Sequence, residues 1–168
     1  FSTLERVWAR PTLDCNGIFG GFTGKGAKTV IPSSATAKIS MRLVPYQEPK
    51  KIAKLFEKHI KQLAPKSVKV VVRSLHGANA SMTPLNDKAT IAASKAMEKA
   101  FGKKTVYARE GGSVPIVDVF GRKLKASVVL MGLGLNSENL HSPNEHFSLK
   151  HFQLGIKSSA LFFNEYSL

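Results

Sequence analysis

The apolar residues between positions 35 and 65 change their spacing from every second residue to every third or fourth. In "ATAKISMRLVP", alternate residues from Ala37 to Leu43 are apolar and those between them are polar, which predicts a half-buried strand. "EPKKIAKLFEKHIKQLAP" carries one apolar stripe at helical spacing, with Pro49 near its start and Pro65 beyond its end, which predicts an amphipathic helix. With "SVKVVVRSL" as a second strand, this region predicts an α+β unit.

A polar, small-residue segment, "HGANASMTPLND", marks a change of composition and is the best position for a domain boundary. Beyond it, "KATIAASKAMEKAFG" predicts a helix with an alanine-rich face, "KTVYAR" a short strand, and "ASVVLMGLG" a strand buried on both faces of a parallel sheet. "SLKHFQLGIKSSALFFNEY" predicts a closing helix whose apolar side carries Leu149, Phe152 and Ile156. We therefore predict two domains, 1–82 and 83–168, of α+β and α/β character.

The net charge of +14 could indicate a nucleic-acid partner. Most of the basic residues are lysines on polar helix faces or beside glutamates, without an arginine cluster, so a solvated surface is favoured and no nucleic-acid partner is expected. No apolar run approaches the about 20 residues that cross a bilayer, so no membrane partner is expected. A single cysteine, Cys15, agrees with a cytoplasmic location. Because the first residue is Phe1, we expect a piece of a longer chain.

His141 stands in "ENLHSPNEHF", directly after the predicted strand "ASVVLMGLG". Loops beyond the strands of open α/β sheets carry functional groups, and neutral imidazole is a common zinc ligand. The alternative is an exposed loop histidine without function. His146 and His151 are expected to be surface or packing residues. One cysteine and scattered histidines give no close ligand spacing, so a structural zinc site within this chain is not expected.

Arg42 and Thr29 lie in "GAKTVIPSSATAKISMRLVP". Arg42 is on the polar side of the predicted strand, and a guanidinium group matches a carboxylate through two hydrogen bonds. Thr29 ends a glycine-rich loop and offers a hydroxyl. The alternatives are a surface salt bridge for Arg42 and simple β-propensity for Thr29. The glycines of this loop lack the spacing and the closing Lys-Ser/Thr pair of a phosphate-binding loop.

"REGGSVPIV" predicts a tight turn that leads into a short helix. Its two glycines permit the turn, Ser113 is placed to cap the helix, and Pro115 falls in the first helical turn. A helix N-terminus attracts a carboxylate or another anion. Glu110 precedes the turn. The alternatives are an ordinary capped turn for Ser113 and a solvent-facing carboxylate for Glu110.

Four stretches, "GAKTVIP", "RLVP", "REGGSVPIV" and "HSPNE", follow one another along the chain. In this order they resemble the M20 family of metallopeptidases, and within it the cytosolic dipeptidases and carnosinase-like enzymes. The resemblance extends from "PTLDCNGIFGG" to the last predicted helix. It implies the second half of an inserted α+β lid (dimerisation) domain over 1–82, followed over 83–168 by the C-terminal part of a zinc-peptidase-like α/β catalytic domain.

The resemblance also implies a role for each candidate residue. His141 corresponds to a ligand of a two-metal site that usually holds zinc, with manganese or cobalt as alternatives. Arg42 and Thr29 correspond to lid residues that hold the substrate or its C-terminal carboxylate. Ser113 corresponds to a residue that contacts the same end of the substrate, and Glu110 to one that borders the pocket.

The family's remaining metal ligands and its general-base glutamate have no match in this chain, so no catalytic residue is assigned to it. We expect a parent enzyme that hydrolyses dipeptides or short peptides and forms a homodimer through the lid. The isolated chain is expected to be inactive and not to bind zinc. An amidohydrolase (deacylase) acting on N-acyl amino acids and a non-catalytic dimerisation module remain as alternatives.

Overall fold

A computed structural model describes residues 1–109 and 114–168. The chain divides into two compact units. The first comprises Phe1–Ser81 with Arg109, Val114 and Pro115, and the second comprises Met82–Ala108 with Ile116–Leu168. Each unit is described by itself below.

The first unit contains two helices and a two-stranded sheet, with the bounds α1 Thr3–Ala9, β1 Thr12–Gly20, β2 Ala35–Arg42 and α2 Pro49–Leu63. Helix α1 begins at a reciprocal cap, in which the Ser2 side chain accepts the Glu5 N–H and the Glu5 carboxylate accepts the Ser2 N–H. This arrangement satisfies two backbone donors that a helix start otherwise leaves unpaired.

Strands β1 and β2 pair antiparallel, with Thr12 opposite Arg42. The register is irregular between Cys15 and Gly17, because Cys15 stands opposite Ile39 whereas Gly17 stands opposite the next residue of β2. β1 therefore carries one residue more than its partner at this point, as in a β-bulge. The strand predicted from the alternating residues of "ATAKISMRLVP" is confirmed.

Helix α2 confirms the predicted amphipathic helix. Pro49 is its first residue, a position that tolerates proline because its missing N–H would have no partner within the helix. Ile52, Phe56 and Ile60 recur at helical spacing and are half-buried. The helix ends at Leu63, two residues before Pro65.

The strand predicted for "SVKVVVRSL" is wrong. No residue from 69 to 80 takes part in a hydrogen-bonded ladder with the described chain. Val70 and Val72 are half-buried, while Val71 between them is 64% exposed. The alternation is that of a strand, but a strand also needs a neighbour for its backbone N–H and C=O groups. Within the described residues β1 and β2 pair only with each other.

The second unit is helical, with the bounds α3 Lys88–Phe101, α4 Ile116–Leu124, a 3₁₀ turn Asn136–Glu138 and α5 Leu149–Ser167. The three predicted helices are confirmed, although α4 begins one residue after Pro115 rather than including it. Asp87 caps α3 by accepting the Ala89 N–H at 2.9 Å. Gly102 ends α3 with φ of 67°, a left-handed conformation that glycine adopts without steric cost.

The core of the second unit lies where α3 packs against α5. Most of its buried side chains are small: Ala89, Thr90, Ala92, Ala93, Ala96 and Ala100 on α3, and Gly155 and Ser158 on α5. Glu165 of α5 is also buried and forms an ion pair with Lys99 of α3. A Cβ added to Gly155 would lie 2.7 Å from the Leu133 Cδ1 atom. The absence of a side chain at Gly155 therefore leaves room for Leu133 against α5.

The buried side of α5 differs from the predicted one. Leu149, Phe152 and Ile156, which were expected to face the core, are 80%, 56% and 60% exposed. Gly155 and Ser158 take their place. Burial on α5 therefore follows small residues rather than the stripe of large apolar ones, and Gly155 lies against Leu133.

Neither strand predicted for the second unit is present in the described residues. "KTVYAR" and "ASVVLMGLG" have no ladder partner. Val129, Met131 and Leu133 are half-buried whereas Leu130 is 62% exposed, so the second run is covered on one side and not on both. Since strands pair with residues distant in sequence, an apolar run alone does not determine its partner.

The mixed helix-and-strand class predicted from the sequence is confirmed by these elements. The boundary between 1–82 and 83–168, and the domain identity of each part, stay predictions. Among the residues that the structure describes, no helix combines the length and the apolar character that crossing a membrane requires.

Candidate substrate- and metal-binding residues

Arg42 is the last residue of β2. Its backbone N–H donates to the Thr12 hydroxyl at 3.4 Å, which fixes the end of the strand against β1. The side chain is exposed, and its guanidinium group forms no ion pair with any carboxylate in the described residues. The surface salt bridge considered as an alternative is therefore absent there, and the guanidinium group is available to an external anion.

The sheet surface around Arg42 is polar. The Thr12 hydroxyl donates to Asp14 Oδ2 at 2.8 Å, and the Ser40 hydroxyl donates to Asn16 Oδ1 at 3.3 Å. Asp14 stands opposite Ser40 in the ladder, next to the pair that Arg42 forms with Thr12. These hydrogen bonds occupy neighbouring polar groups with one another, and the guanidinium group has no carboxylate partner in the described residues.

Thr29 lies in the connection between β1 and β2, outside both strands. It is exposed, and its hydroxyl makes no hydrogen bond within the described chain. Gly21 and Gly26, with φ of 75° and 89°, give this connection two left-handed turns. The structure records no contact between Thr29 and Arg42, so it does not bring these two predicted residues together.

His141 lies in the second unit, in the loop between the 3₁₀ turn and α5. The loop is unusual because three non-glycine residues have left-handed backbones: Asn139, His141 and Asn144, with φ of 53°, 61° and 61°. The His141 side chain is exposed, and its imidazole has no hydrogen-bond partner in the described residues. Both ring nitrogens are therefore accessible for coordination.

Glu138, which the sequence did not single out, is buried at the start of this loop with 1% exposure. Hydrogen bonds from the backbone N–H of Leu135 and of Ser148 lower the pKa of its carboxyl group, against the opposing effect of burial, and the nearby His146 and His151 lower it further. The side chain is therefore a carboxylate at neutral pH. An acidic residue in a polar loop is usually exposed, so the sequence carried no signal of its burial.

His146 is exposed and His151 is half-buried, in agreement with the expectation of surface or packing residues. His151 Nδ1 lies 2.9 Å from the Leu133 carbonyl oxygen, and since that oxygen only accepts, Nδ1 carries the proton. The His151 ring also meets Phe101 edge to face, with 5.5 Å between ring centroids. His146 Nδ1 lies 3.0 Å from the Asn144 carbonyl oxygen.

Two predicted contacts, Ser113 and Glu110, lie outside the described residues. Within the part of the chain that is described, no group of three His, Cys, Asp or Glu side chains is arranged to hold a metal ion. His141 fits the role of one ligand, because its imidazole is exposed and free of hydrogen bonds. A complete site needs ligands in addition to those of the described chain.

The chain is similar to known proteins along most of its length. The sequence profile of a peptidase dimerisation domain matches residues 2–68. The chain is 36% identical over 169 residues to Cys-Gly metallodipeptidase DUG1 of Saccharomyces cerevisiae, covering 98% of this chain and 35% of that protein. It is 33% identical over 165 residues to the Beta-Ala-His dipeptidase of Homo sapiens, covering 96% of this chain and 32% of that protein.

Two solved structures are similar to the chain. Human carnosine dipeptidase 1 matches with a TM-score of 0.83 and 32% identity, covering 99% of this chain and 36% of that one. The di-peptidase Dug1p of Saccharomyces cerevisiae matches with a TM-score of 0.80 and 31% identity, covering 98% and 35%. The chain thus spans about a third of the length of the relatives that it matches.

Proposed function

We propose that the chain belongs to the M20 family of peptidases and forms part of a larger metal-dependent dipeptidase, which the match of residues 2–68 to a peptidase dimerisation domain supports. The observation that carries the proposal is His141, whose imidazole stands exposed and unpaired on a loop with an exceptional backbone. Its support from outside the chain is the similarity, along nearly the whole chain, to proteins named as a Cys-Gly metallodipeptidase and a Beta-Ala-His dipeptidase.

The surface of the chain supports its being a part of something larger. Its accessible area is 13893 Å², whereas a folded monomer of 18.3 kDa has about 8,000 Å². Many large apolar side chains are exposed, including Phe152 and Ile156 on α5. Apolar surface on this scale is ordinarily covered by other polypeptide.

We propose that His141 contributes one ligand to a zinc site. Imidazole is a ligand that zinc accepts in catalytic sites, and manganese or cobalt could replace zinc. When bound there, a divalent metal polarises the carbonyl of the peptide bond and activates water for its hydrolysis. The further ligands and the general base are proposed to come from the remaining part of the enzyme.

Arg42 is proposed to bind the C-terminal carboxylate of the substrate. Its guanidinium group has no carboxylate partner in the described chain, and its fork of N–H donors can give two parallel hydrogen bonds. Thr29 is proposed to donate its hydroxyl to the same substrate. Ser113 and Glu110 are proposed as further substrate contacts.

The parent enzyme is proposed to be a cytoplasmic homodimer. The match of residues 2–68 to a peptidase dimerisation domain supports association through the first unit. The isolated chain is proposed to be inactive, because the described residues supply a single candidate ligand.

Kinetics of the full-length protein with Cys-Gly and β-Ala-His dipeptides test the proposal. His141→Ala is expected to abolish turnover. Arg42→Ala is expected to lower kcat/KM about 100-fold, since a hydrogen bond to a charged group contributes about 1.5–3 kcal/mol. His59→Ala and Arg73→Ala, at exposed positions of the first unit, are the matched controls. Unchanged kcat/KM in both site variants, or hydrolysis by the isolated chain, would contradict the proposal.

A further inference from the structure

One buried carboxylate closes the loop that carries His141. Glu138 Oε2 accepts the Leu135 N–H at 2.8 Å, and Oε1 accepts the Ser148 N–H at 2.8 Å. The backbone carbonyl of the same residue accepts the His146 N–H at 3.1 Å. Glu138 is 1% exposed, so these bonds are shielded from water, and a single residue holds both ends of the loop.

The loop backbone needs this restraint. Asn139, His141 and Asn144 all have left-handed backbones, a conformation that costs a non-glycine residue free energy, although less for asparagine than for most residues, so contacts that restrain the loop help to maintain it. Inside the loop, one backbone hydrogen bond joins Ser142 to Asn139, at 3.0 Å. The His146 ring also lies 3.0 Å from the Asn144 carbonyl oxygen through Nδ1. The hydrogen bonds that join the two ends of the loop come from Glu138.

The carboxylate also ties the loop to a rigid element. Ser148, which donates its N–H to Glu138, is the N-cap of α5, and its hydroxyl accepts the His151 N–H at 3.3 Å. His151 in turn binds the Leu133 carbonyl oxygen before the loop begins. The loop is thereby fixed to the start of a helix that packs against α3.

We propose that Glu138 is a positioning residue that directs the His141 imidazole toward the metal by holding the loop backbone. The proposal rests on the proposed role of His141 as a ligand. The Glu138 carboxylate forms its hydrogen bonds with the backbone of Leu135 and Ser148 and not with the imidazole, so it acts through the conformation of residues 139–147. Replacing the carboxylate by an amide leaves a single oxygen for two N–H donors and places an NH₂ group against one of them.

Zinc titration of the metal-free full-length protein against a chelating indicator tests the proposal, together with the visible spectrum of the cobalt form. Glu138→Gln is expected to weaken zinc binding about 10- to 100-fold, the usual effect of losing a group that orients a ligand, and to change the cobalt spectrum. Glu98→Gln is the matched control, because Glu98 Oε1 also accepts a backbone N–H, from Thr105 at 3.0 Å, in the same unit but away from the loop. Its zinc affinity is expected to stay within about twofold of the unaltered protein.

Thermal unfolding separates positioning from general destabilisation. If Glu138→Gln and Glu98→Gln lower the unfolding midpoint alike, and Glu138→Gln alone weakens zinc binding, the positioning role is supported. Equal zinc affinity in the two variants refutes it. Should Glu138→Gln fail to fold, Glu138→Asp replaces it: the carboxylate is kept but is one methylene too short to reach both N–H groups, and unchanged affinity again refutes the role.

His141→Ala separates the ligand role of His141 from the positioning role of Glu138. If His141→Ala binds zinc as tightly as the unaltered protein, the ligand assignment fails, and the positioning role fails with it. If His141→Ala weakens binding while Glu138→Gln matches Glu98→Gln, only the positioning role is overturned.

Discussion

Replacing Ala96 by leucine tests the small-residue contact between α3 and α5. Ala96 is 0% exposed, so three added carbon atoms have to enter filled space. With room available, they would contribute about 0.8 kcal/mol for each CH₂ group. Without room, they force side chains and backbone to shift, which costs about 1–3 kcal/mol. We expect a loss of about 2 kcal/mol, which lowers Tm by about 4–8 °C in a protein of this size.

The matched control is Ala160→Leu on α5. Ala160 is exposed and lies at helical spacing from Phe152 and Ile156, on the side of α5 that the sequence predicted to be buried. Its replacement is expected to change the free energy of unfolding by less than about 0.5 kcal/mol. Thermal unfolding of both variants of the chain, followed by circular dichroism, gives the comparison. If Ala160→Leu destabilises more than Ala96→Leu, the observed packing of α5 is wrong and the sequence-based face is right.

Two further predictions concern the second unit. The pKa of Glu138 is lowered in the folded state. The carboxylate therefore stabilises the fold fully above the ordinary glutamate pKa of about 4.3, and this stabilisation is lost as the pH falls through the lower folded pKa. Glu138→Gln should make the free energy of unfolding depend less on pH in the acid range, and an unchanged dependence would contradict this assignment. Gly102→Ala forces a side chain onto a left-handed residue at the end of α3 and should cost about 1 kcal/mol in denaturant unfolding, whereas no loss would mean that the helix end relaxes.

Local signals predicted helices α2 to α5 and strand β2. Helix α2 follows from the spacing of its apolar residues and from Pro49 at its start, and α3 from its alanines and the closing Gly102. Helix α1 was missed although the sequence carries its signal, a serine followed three residues later by a glutamate, Ser2 and Glu5. These features act within one turn of helix, so the sequence alone contains them.

The pairing of strands and the choice of the buried helix face depend on residues far apart in sequence, and both were predicted less well. "SVKVVVRSL" and "ASVVLMGLG" have the composition of strands but no partner in the described residues. The apolar spacing of α5 predicted that the side with Leu149 is buried, whereas Gly155 and Ser158 are buried instead, and Gly155 lies against Leu133 from a segment distant in sequence. For the candidate site, the motifs indicated Arg42, Thr29 and His141. They did not indicate Glu138, a buried carboxylate whose hydrogen bonds go to the backbone of Leu135 and Ser148.

The extra residue in β1 resets the alternation of the hairpin halfway along its length. Because β1 gains one residue between Cys15 and Gly17, Ile18 stands opposite Ala37 and Phe19 opposite Thr36. In an unbroken ladder of the same sequence, Ile18 and Phe19 would exchange faces. The hairpin should therefore tolerate an insertion or deletion only at the bulge between Cys15 and Gly17. An insertion or deletion elsewhere along β1 would move the side chains beyond it to the opposite face of the sheet.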